Sequence, residues 1–381
     1  MSDLDKVLSD AVAAQDVPFV VAMTGDAAGI TYSGAFGDAA PGQAAAENSV
    51  FRIFSMTKAI GSLATMILID RGKLSLDTPV ASILPDWDKL RVLDHFDGDR
   101  PILRAPETQA TLRHLATHTS GMEYEFWNPD VPRYMKITGL PSILSGRKDA
   151  LMYPLTSDPG TRWGYGPSTD WLGQMVEAVD GRRIDAFCQA EIFEPLGMTD
   201  TAFEPDALTD RLCTVNARGA DGSFSPSGLA PPPHPEIYGM GHALYSTAPD
   251  YMRFLRMVLN RGQLDGNRIL SEAALETMLA DQMGGLTFEK MISVAPPVSA
   301  DVDLFPGTRV THSVAFLRNE EDIPGKRSAG SQGWAGVCNT HFWLDPSRDL
   351  AAVIMTQSLP FAEPPLLRTY DAYERAVYAA L

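Results

Sequence analysis

Residues 55–68 read SMTKAIGSLATMIL, in which a serine and a lysine three positions apart open an apolar run. The run from Ala59 to Leu68 is almost entirely apolar or small and predicts a buried helix. Because positions i and i+3 lie on one face of a helix, Lys58 can reach the hydroxyl of Ser55. A serine hydroxyl is a weak nucleophile until a neighbouring base takes its proton, and a lysine can be that base only when its pKa is lowered. The pattern therefore predicts a nucleophile and a base at the start of a core helix.

A second Ser-x-x-Lys match shows that the tetrapeptide alone decides little. Ser145 and Lys148 have the same spacing, but a glycine and charged residues surround them and no apolar helical run follows. We interpret this second match as a solvated turn. Ser55 itself could still be only a helix cap, since serine is a common residue at that position. Other parts of the chain have to separate these alternatives.

Further landmarks follow along the chain. Residues 114–122 read HLATHTSGM, and residues 159–165 read PGTRWGY, a turn that leads to Tyr165. Ser168 is predicted to cap a helix that ends before Gly181, since apolar residues between them recur at helical spacing. Near the C-terminus, residues 333–337 read GWAGV and lead into a predicted strand that ends at residues 343–344.

These landmarks, in this order, resemble the serine beta-lactamase and penicillin-binding protein superfamily. The closer likeness is to class C beta-lactamases and to the family VIII carboxylesterases that share their fold. Residues 72–80 (GKLSLDTPV), 195–201 (PLGMTDT) and 245–250 (YSTAPD) look like further landmarks of the family. The resemblance therefore covers most of the chain rather than one motif.

The resemblance implies an α/β plus all-α fold, in which an antiparallel sheet flanked by helices adjoins a helical lobe. We expect residues 1–76 and 236–381 to form the α/β domain together, and residues 77–235 to form a mainly helical domain. The site would lie in the cleft between them. Periodicity agrees with this arrangement. It predicts an N-terminal helix over 4–12, strands at 17–24, 29–35, 310–317, 341–344 and 350–356, and a closing helix over 366–381.

The resemblance also assigns roles to individual residues. Ser55 would be the acylated nucleophile, and Tyr165 matches the tyrosine of the family's Tyr-x-Asn motif. Lys58 and Tyr165 would together form the general base, and either could carry the proton. The amide of Ser55 would be one donor to the oxyanion, and the amide of Val337 would be the second.

The second oxyanion donor depends on an alignment. We align Trp334, Ala335 and Gly336 with the Lys-Thr-Gly box of beta-lactamases, which makes Val337 the donor. An alternative alignment places residues 331–333 at the box and makes Trp334 the donor. Trp334 could also be an ordinary core residue.

Substrate contacts are predicted from the family placement alone. An aromatic mouth would favour an apolar acyl or alcohol group, and Ala335 and Gly336 would line the site beside it. His242 could also lie near the site, although a structural histidine is the alternative interpretation. The aromatic residues concerned are Tyr124, Phe126, Trp127, Trp163 and Trp334.

Two departures from the beta-lactamase pattern argue against efficient lactam hydrolysis. Pro167 occupies the position of the motif's asparagine and has no side-chain hydrogen-bonding group. The lysine of the Lys-Thr-Gly box is absent on either alignment. Loss of that cation removes a charge-assisted contact of about 1.5–3 kcal/mol, whereas ester chemistry needs neither group.

Composition limits the other classes of function. A net charge of −17 and the lack of a basic run argue against nucleic-acid binding. Cys188, Cys213 and Cys338 match no zinc spacing and suit a reducing compartment as small core residues. His114 and His118 form an i, i+4 pair without the glutamate of a zinc hydrolase. With neither a secretory signal nor a membrane span in the sequence, we expect a cytoplasmic protein.

The interpretation that results is a serine carboxylesterase for small or medium acyl esters, working without metal or cofactor through an acyl-serine intermediate. Its partner would be a small-molecule ester, with no nucleic acid and no membrane, and its oligomeric state is not readable. The alternatives are an acyltransferase to a small alcohol or amine, a weak beta-lactamase and a non-catalytic acyl-binding protein. A Ser-His-Asp hydrolase is disfavoured because the chain has no Gly-x-Ser-x-Gly elbow.

Overall fold

A computed structural model describes residues 2–381, and its centre is an eight-stranded sheet. The strands lie in the order β4-β5-β6-β7-β8-β1-β2-β3, and each neighbouring pair is antiparallel. The predicted antiparallel sheet is therefore confirmed. Its strands are β1 Phe19–Gly25, β2 Ile30–Ala40, β3 Gln43–Ala44, β4 Val310–His312, β5 Leu317–Asn319, β6 Gln332–Gly336, β7 Thr340–Asp345 and β8 Leu350–Met355.

The two ends of the chain meet in the middle of this sheet. Val21 of β1 pairs with Met355 of β8 on one side and with Ala35 of β2 on the other. All residues of β1, β7 and β8 are buried, as expected for strands that helices cover on both faces. This pairing joins residues that are more than three hundred positions apart.

Within residues 2–381, seven helices of two turns or more flank the sheet or fill the middle of the chain. The predicted N-terminal and closing helices are both present, and the closing helix begins two residues earlier than expected. The helices are α1 Asp3–Ala13, α2 Thr57–Asp70, α3 Asp130–Thr138, α4 Ser168–Asp180, α5 Ala248–Leu259, α6 Glu272–Leu279 and α7 Pro364–Ala379.

Short elements complete the fold. Besides the named helices, residues 77–235 contain short helices at Val80–Ile83, Leu112–Ala116, Ile184–Cys188 and Glu194–Leu196, and hairpins at Val92–Asp97 with Arg100–Arg104 and Asn216–Arg218 with Phe224–Pro226. Strand Phe51–Arg52 pairs with Tyr245–Ser246, and Ser358–Leu359 pairs with Asn216–Arg218. The division into two domains stays a prediction, and its residue 1 lies outside the described residues.

The sheet has a separate apolar core on each face. On one face, α1 and α7 bury Leu8 and Tyr373 against Val20 and Trp343. On the other face, α5 packs against β1 and β8. Helix α2 lies in the same core, and its residues from Thr57 to Leu68 are all buried. A helix that is apolar on every side needs neighbours on every side, and α2 packs against α4 and α6. This central helix follows directly on the predicted nucleophile.

Two local predictions are wrong. Residues 310–317 form two short strands rather than one, because Ser313 turns the chain through hydrogen bonds with Phe316. Ser168 does not cap α4, since Pro167 precedes the helix and the Ser168 hydroxyl is 2.7 Å from that of Ser120. The Ser168 hydroxyl is therefore bound to Ser120, although the sequence pattern predicts that it caps the helix.

Two other predictions, on the second Ser-x-x-Lys match and on the cysteines, are confirmed. The second Ser-x-x-Lys match lies in two short turns, with Lys148 exposed. Cys188, Cys213 and Cys338 are buried and unbonded. Within residues 2–381, no helix combines the length and the apolar character that a membrane span requires.

Candidate active site

Ser55 lies in a tight turn between a short strand and α2. The turn is a single 3₁₀ segment, Phe54–Met56, and Phe54 has a φ of 40°. A bulky residue in this left-handed region is strained, and such strain persists only where neighbours hold it. The Tyr251 hydroxyl donates a hydrogen bond of 3.0 Å to the Met56 carbonyl and thereby stabilises the turn. Because Met56 occupies the position before α2, Ser55 is not the cap of this helix.

The amine of Lys58 is buried and has three oxygen partners. Its Nζ is 3.2 Å from Ser55 Oγ, 3.0 Å from the Tyr124 hydroxyl and 2.9 Å from the Gly241 carbonyl. Only 3% of the residue is exposed. Hydrogen bonds between the amine and these three oxygens compensate for the burial of a polar group. The predicted reach from Lys58 to Ser55 is confirmed.

Tyr165 stands beside this pair within a cluster of rings. Lys58 Nζ lies 4.8 Å from the centre of the Tyr165 ring, and the Tyr165 hydroxyl accepts a hydrogen bond of 3.1 Å from Trp334 Nε1. His118 and Tyr124 meet the same ring edge to face, with centroids at 4.9 and 5.2 Å. Lys58 thus has its direct hydrogen bond to Tyr124 and a cation–π contact to Tyr165.

Burial keeps the neighbouring groups in their neutral forms. It lowers the pKa of His118, with a further contribution from the nearby His312. It also lowers the pKa of His312 to about 4 and raises that of Tyr124, the latter with help from the Asp170 carboxylate. The side chains that surround Lys58 are therefore buried and mostly uncharged.

Strand β6 brings the predicted box to the nucleophile. Trp334, Ala335 and Val337 line a cavity together with Ser55. Gly336 lies behind this wall, because a Cβ atom there would be 2.3 Å from the carbonyl oxygen of Ile53. Only glycine allows the strand to approach the nucleophile turn this closely. The use of the Val337 amide as an oxyanion donor stays a prediction.

Two cavities open from Ser55. The first spans about 410 Å³ and the second about 1350 Å³, and both volumes include space that is open to solvent. Val337 and Phe126 line both, as Ser55 does. The other residues of the first are Trp127, Tyr165, Met291, Val302, Leu304, Trp334, Ala335 and Phe361. The other residues of the second are Phe54, Tyr124, Glu125, Pro132, Ile143, Leu144, Ser227, Gly228, Leu229, His242, Val294, Ala295, Val298 and Leu359.

The structure divides the predicted substrate residues between these places. Trp127 lies at the first cavity, Tyr124 and His242 lie at the second, and Phe126 lines both. Trp163 lines neither, since it is 2% exposed and stacks behind Tyr165 with parallel rings and centroids 6.3 Å apart. Trp163 therefore packs against Tyr165 and does not line the mouth of the cleft.

Two carboxylates near the site were missed from the sequence. Asp170 is fully buried in α4, accepts a hydrogen bond of 3.1 Å from the Gly241 amide, and has His242 Nδ1 at 3.5 Å. It thereby fixes the loop whose carbonyl holds Lys58. Its position beside Trp171 in a buried helix is the one signal that could have identified it. Glu125, between two aromatic residues, carried no such signal.

Comparison with known proteins finds relatives that match most of the chain. The chain is 30% identical over 342 residues to the monacolin J acid methylbutanoyltransferase of Aspergillus terreus, covering 86% of this chain and 81% of that protein. It is 31% identical over 328 residues to the lovastatin esterase of Penicillium rubens, with 82% and 80% covered. The unliganded simvastatin synthase of Aspergillus terreus superposes with a TM-score of 0.85 at 26% identity, covering 99% of this chain and 97% of the other.

The family model described as Beta-lactamase matches residues 4–376, which include the Ser55 turn, the Tyr165 cluster and strand β6. Nearly every element that builds the site therefore falls within the matched region. By sequence and by fold, the chain belongs to the Beta-lactamase family.

Proposed function

We propose that the protein is a serine carboxylesterase that cleaves small or medium acyl esters through an acyl-Ser55 intermediate. The observation that carries the proposal is the distance of 3.2 Å between Lys58 Nζ and Ser55 Oγ at the wall of an apolar cavity. A nucleophile and a base within hydrogen-bond reach are the signature of covalent catalysis. The proposal needs neither a metal nor a cofactor, because side chains supply every proton transfer.

The reaction begins when Ser55 Oγ attacks the ester carbonyl. Its proton passes to the Lys58–Tyr165 pair, a bond forms between Oγ and the carbonyl carbon, and the negative charge moves to the carbonyl oxygen. The amides of Ser55 and Val337 would stabilise that oxyanion. The carbon–oxygen bond to the alcohol then breaks, and the alcohol oxygen takes the proton from the base. Water then attacks the acyl carbon while the pair takes its proton. The bond to Ser55 Oγ breaks, Oγ regains a proton from the pair, and the acid is released.

In this proposal, Tyr165 passes the proton to the leaving alcohol. It lines the first cavity beside Ser55, and its hydroxyl accepts a hydrogen bond from Trp334. That bond fixes the direction of the hydroxyl. Lys58 Nζ lies 4.8 Å from the centre of the same ring, so the two members of the pair are in contact.

The first test compares the wild-type protein with Ser55→Ala on p-nitrophenyl butyrate. We expect clear turnover by the wild type and a loss of at least about 10³-fold in kcat/KM in the variant, because no acyl-enzyme can form. Circular dichroism and Tm of both proteins serve as the folding control. Equal rates in the two proteins would exclude Ser55 as the nucleophile.

Acyl transfer is the second candidate, and a relative favours it. The methylbutanoyltransferase of Aspergillus terreus is 30% identical to this chain. Transfer differs from hydrolysis only in the group that attacks the acyl-enzyme, and the apolar site disfavours water. Adding a primary alcohol to the butyrate assay and measuring the new ester separates the two. Retention of Ser55, Lys58 and Tyr165 together disfavours a non-catalytic acyl-binding protein, and the missing box lysine disfavours lactams.

We further propose a cytoplasmic location and a small-molecule ester as the partner, with no nucleic acid and no membrane. Three buried free cysteines are compatible with a reducing compartment. The charge of −17 opposes binding to phosphate backbones.

A further inference from the structure

The described wall of the second cavity carries one carboxylate among mostly apolar residues, and Tyr124 and His242 also line it. Glu125 lines it among residues such as Leu144 and Val298. Among the lining residues that the structure describes, none is lysine or arginine. A charged ligand in this space therefore meets one carboxylate, the imidazole of His242 and, near Ser55, the catalytic amine.

Glu125 is held in place but not saturated. Its Oε1 accepts a hydrogen bond of 2.7 Å from the Ser142 hydroxyl, and its Oε2 accepts one of 2.8 Å from the Tyr153 hydroxyl. Burial is the main cause of the raised pKa of Tyr153, and the negative charge of Glu125 adds to it. The Tyr153 hydroxyl therefore keeps its proton and donates a hydrogen bond to Glu125. A carboxylate has about four lone-pair positions, so two donors leave positions open for a ligand.

The position of Tyr165 decides which part of an ester reaches Glu125. The leaving alcohol oxygen has to meet the group that protonates it, and Tyr165 lines the first cavity but not the second. The alcohol part therefore belongs in the first cavity. The acyl chain, bound through its carbonyl to Ser55, extends into the second cavity.

Resting on the proposed function, we infer that Glu125 selects the acyl chain by charge. Chains that carry an ammonium group at their far end are preferred, neutral chains are accepted, and chains that end in a carboxylate are excluded. An ammonium is costly to bury in an apolar cavity unless a carboxylate pairs with it, and Glu125 supplies that partner. Two carboxylates in the same partly buried space repel each other strongly.

The test uses three p-nitrophenyl esters of equal length: the 6-aminohexanoate, the hexanoate and the mono-ester of adipate. At pH 7 we expect kcat/KM to fall in that order, with roughly 100-fold between the first and the last, as expected for one charge contact at short range. In Glu125→Gln the same ratio should fall to within about threefold, because the carboxylate that separates the two charged esters is gone.

Control variants separate the cavity charge from other causes. Glu47→Gln removes an exposed carboxylate that lines neither cavity, and it should keep the wild-type ratios. Tyr153→Phe removes one donor to Glu125 without changing the charge, and it should keep the order of the three esters. If Glu125→Gln does not fold, Glu125→Asp, which withdraws the charge by one methylene, should give an intermediate ratio.

The outcomes distinguish the two proposals. Turnover that survives Ser55→Ala, or no turnover of any ester, overturns the proposed function. Turnover that depends on Ser55 but is equal for all three esters overturns only the selection by Glu125. A ratio that persists in Glu125→Gln and disappears in high salt would assign the selectivity to the net charge of the protein, and it would also overturn the inference.

Discussion

At the scale of single residues, the site depends on contacts that no local sequence pattern predicts. Lys58 meets Ser55 because three positions of a helical turn bring them together. Its other partners, Tyr124 and Gly241, are 66 and 183 positions away. Asp170 in turn holds Gly241 through the amide of that residue. The pair is thus local, whereas the cage that orients it is assembled by the fold.

His312 makes an acid-sensitive contribution beside this cage. It is buried against Trp334 and His118, and its Nδ1 donates to the Ser313 carbonyl at 2.5 Å. Burial lowers its pKa from the ordinary 6.5 to about 4. The stability that this group contributes is therefore fully present above pH 6.5 and is lost as the pH falls towards 4.

We expect His312→Asn to flatten this part of the stability profile. The asparagine amide can replace the Nδ1–H donor to the Ser313 carbonyl, and it does not titrate. The loss of unfolding free energy between pH 6.5 and 4 should shrink by up to about 3 kcal/mol relative to wild type. Urea unfolding at a series of pH values measures it, and equal slopes for both proteins would contradict the prediction.

At the scale of elements, strand β6 has to approach the nucleophile turn. The Thr340 hydroxyl of β7 donates to the Ile53 carbonyl at 3.4 Å, and Gly336 of β6 packs against the same carbonyl. Close packing of this kind leaves no room for a side chain. The distance between Ser55 and the Trp334 wall is set by this contact.

Gly336→Ala should therefore affect both stability and activity. The added methyl group meets the Ile53 carbonyl at 2.3 Å and Thr340 Oγ1 at 2.4 Å, so the strand must move. We expect a loss of about 1–3 kcal/mol in unfolding free energy and at least a tenfold loss in kcat/KM on p-nitrophenyl butyrate. Gly29→Ala, whose methyl group has no atom within 4 Å, is the matched control and should change neither. Wild-type activity in Gly336→Ala would refute this account of the strand.

At the scale of the whole molecule, one sheet separates the catalytic face from a supporting face. The supporting face is covered by α1 and α7, which bury Leu8, Tyr373 and Trp343. The nucleophile turn and the cavities lie on the other face, with α2. Damage to the supporting core should consequently reach the site only through global unfolding.

Leu8→Ala tests this separation. Leu8 is fully buried, and its truncation should cost about 2–5 kcal/mol of unfolding free energy. The kcat/KM of the folded protein on p-nitrophenyl butyrate should stay within about twofold of wild type. Lys6→Ala, on the exposed side of the same helix, should leave Tm unchanged. A large fall in kcat/KM of the folded Leu8→Ala protein would show that the two faces are coupled.

The sequence by itself determined the features that depend on local spacing and on the order of motifs. The Ser55–Lys58 pair, the buried helix after it, the hairpin of β1 and β2 and the family resemblance were all readable, because helical and strand periodicity act over a few residues. Only the tertiary structure decided which long-range groups meet. It gave Lys58 its contacts with Tyr124 and Gly241, placed Trp163 behind Tyr165 and set Glu125 in the second cavity. Those contacts follow from packing between distant segments, and a single sequence carries no local signal of that packing.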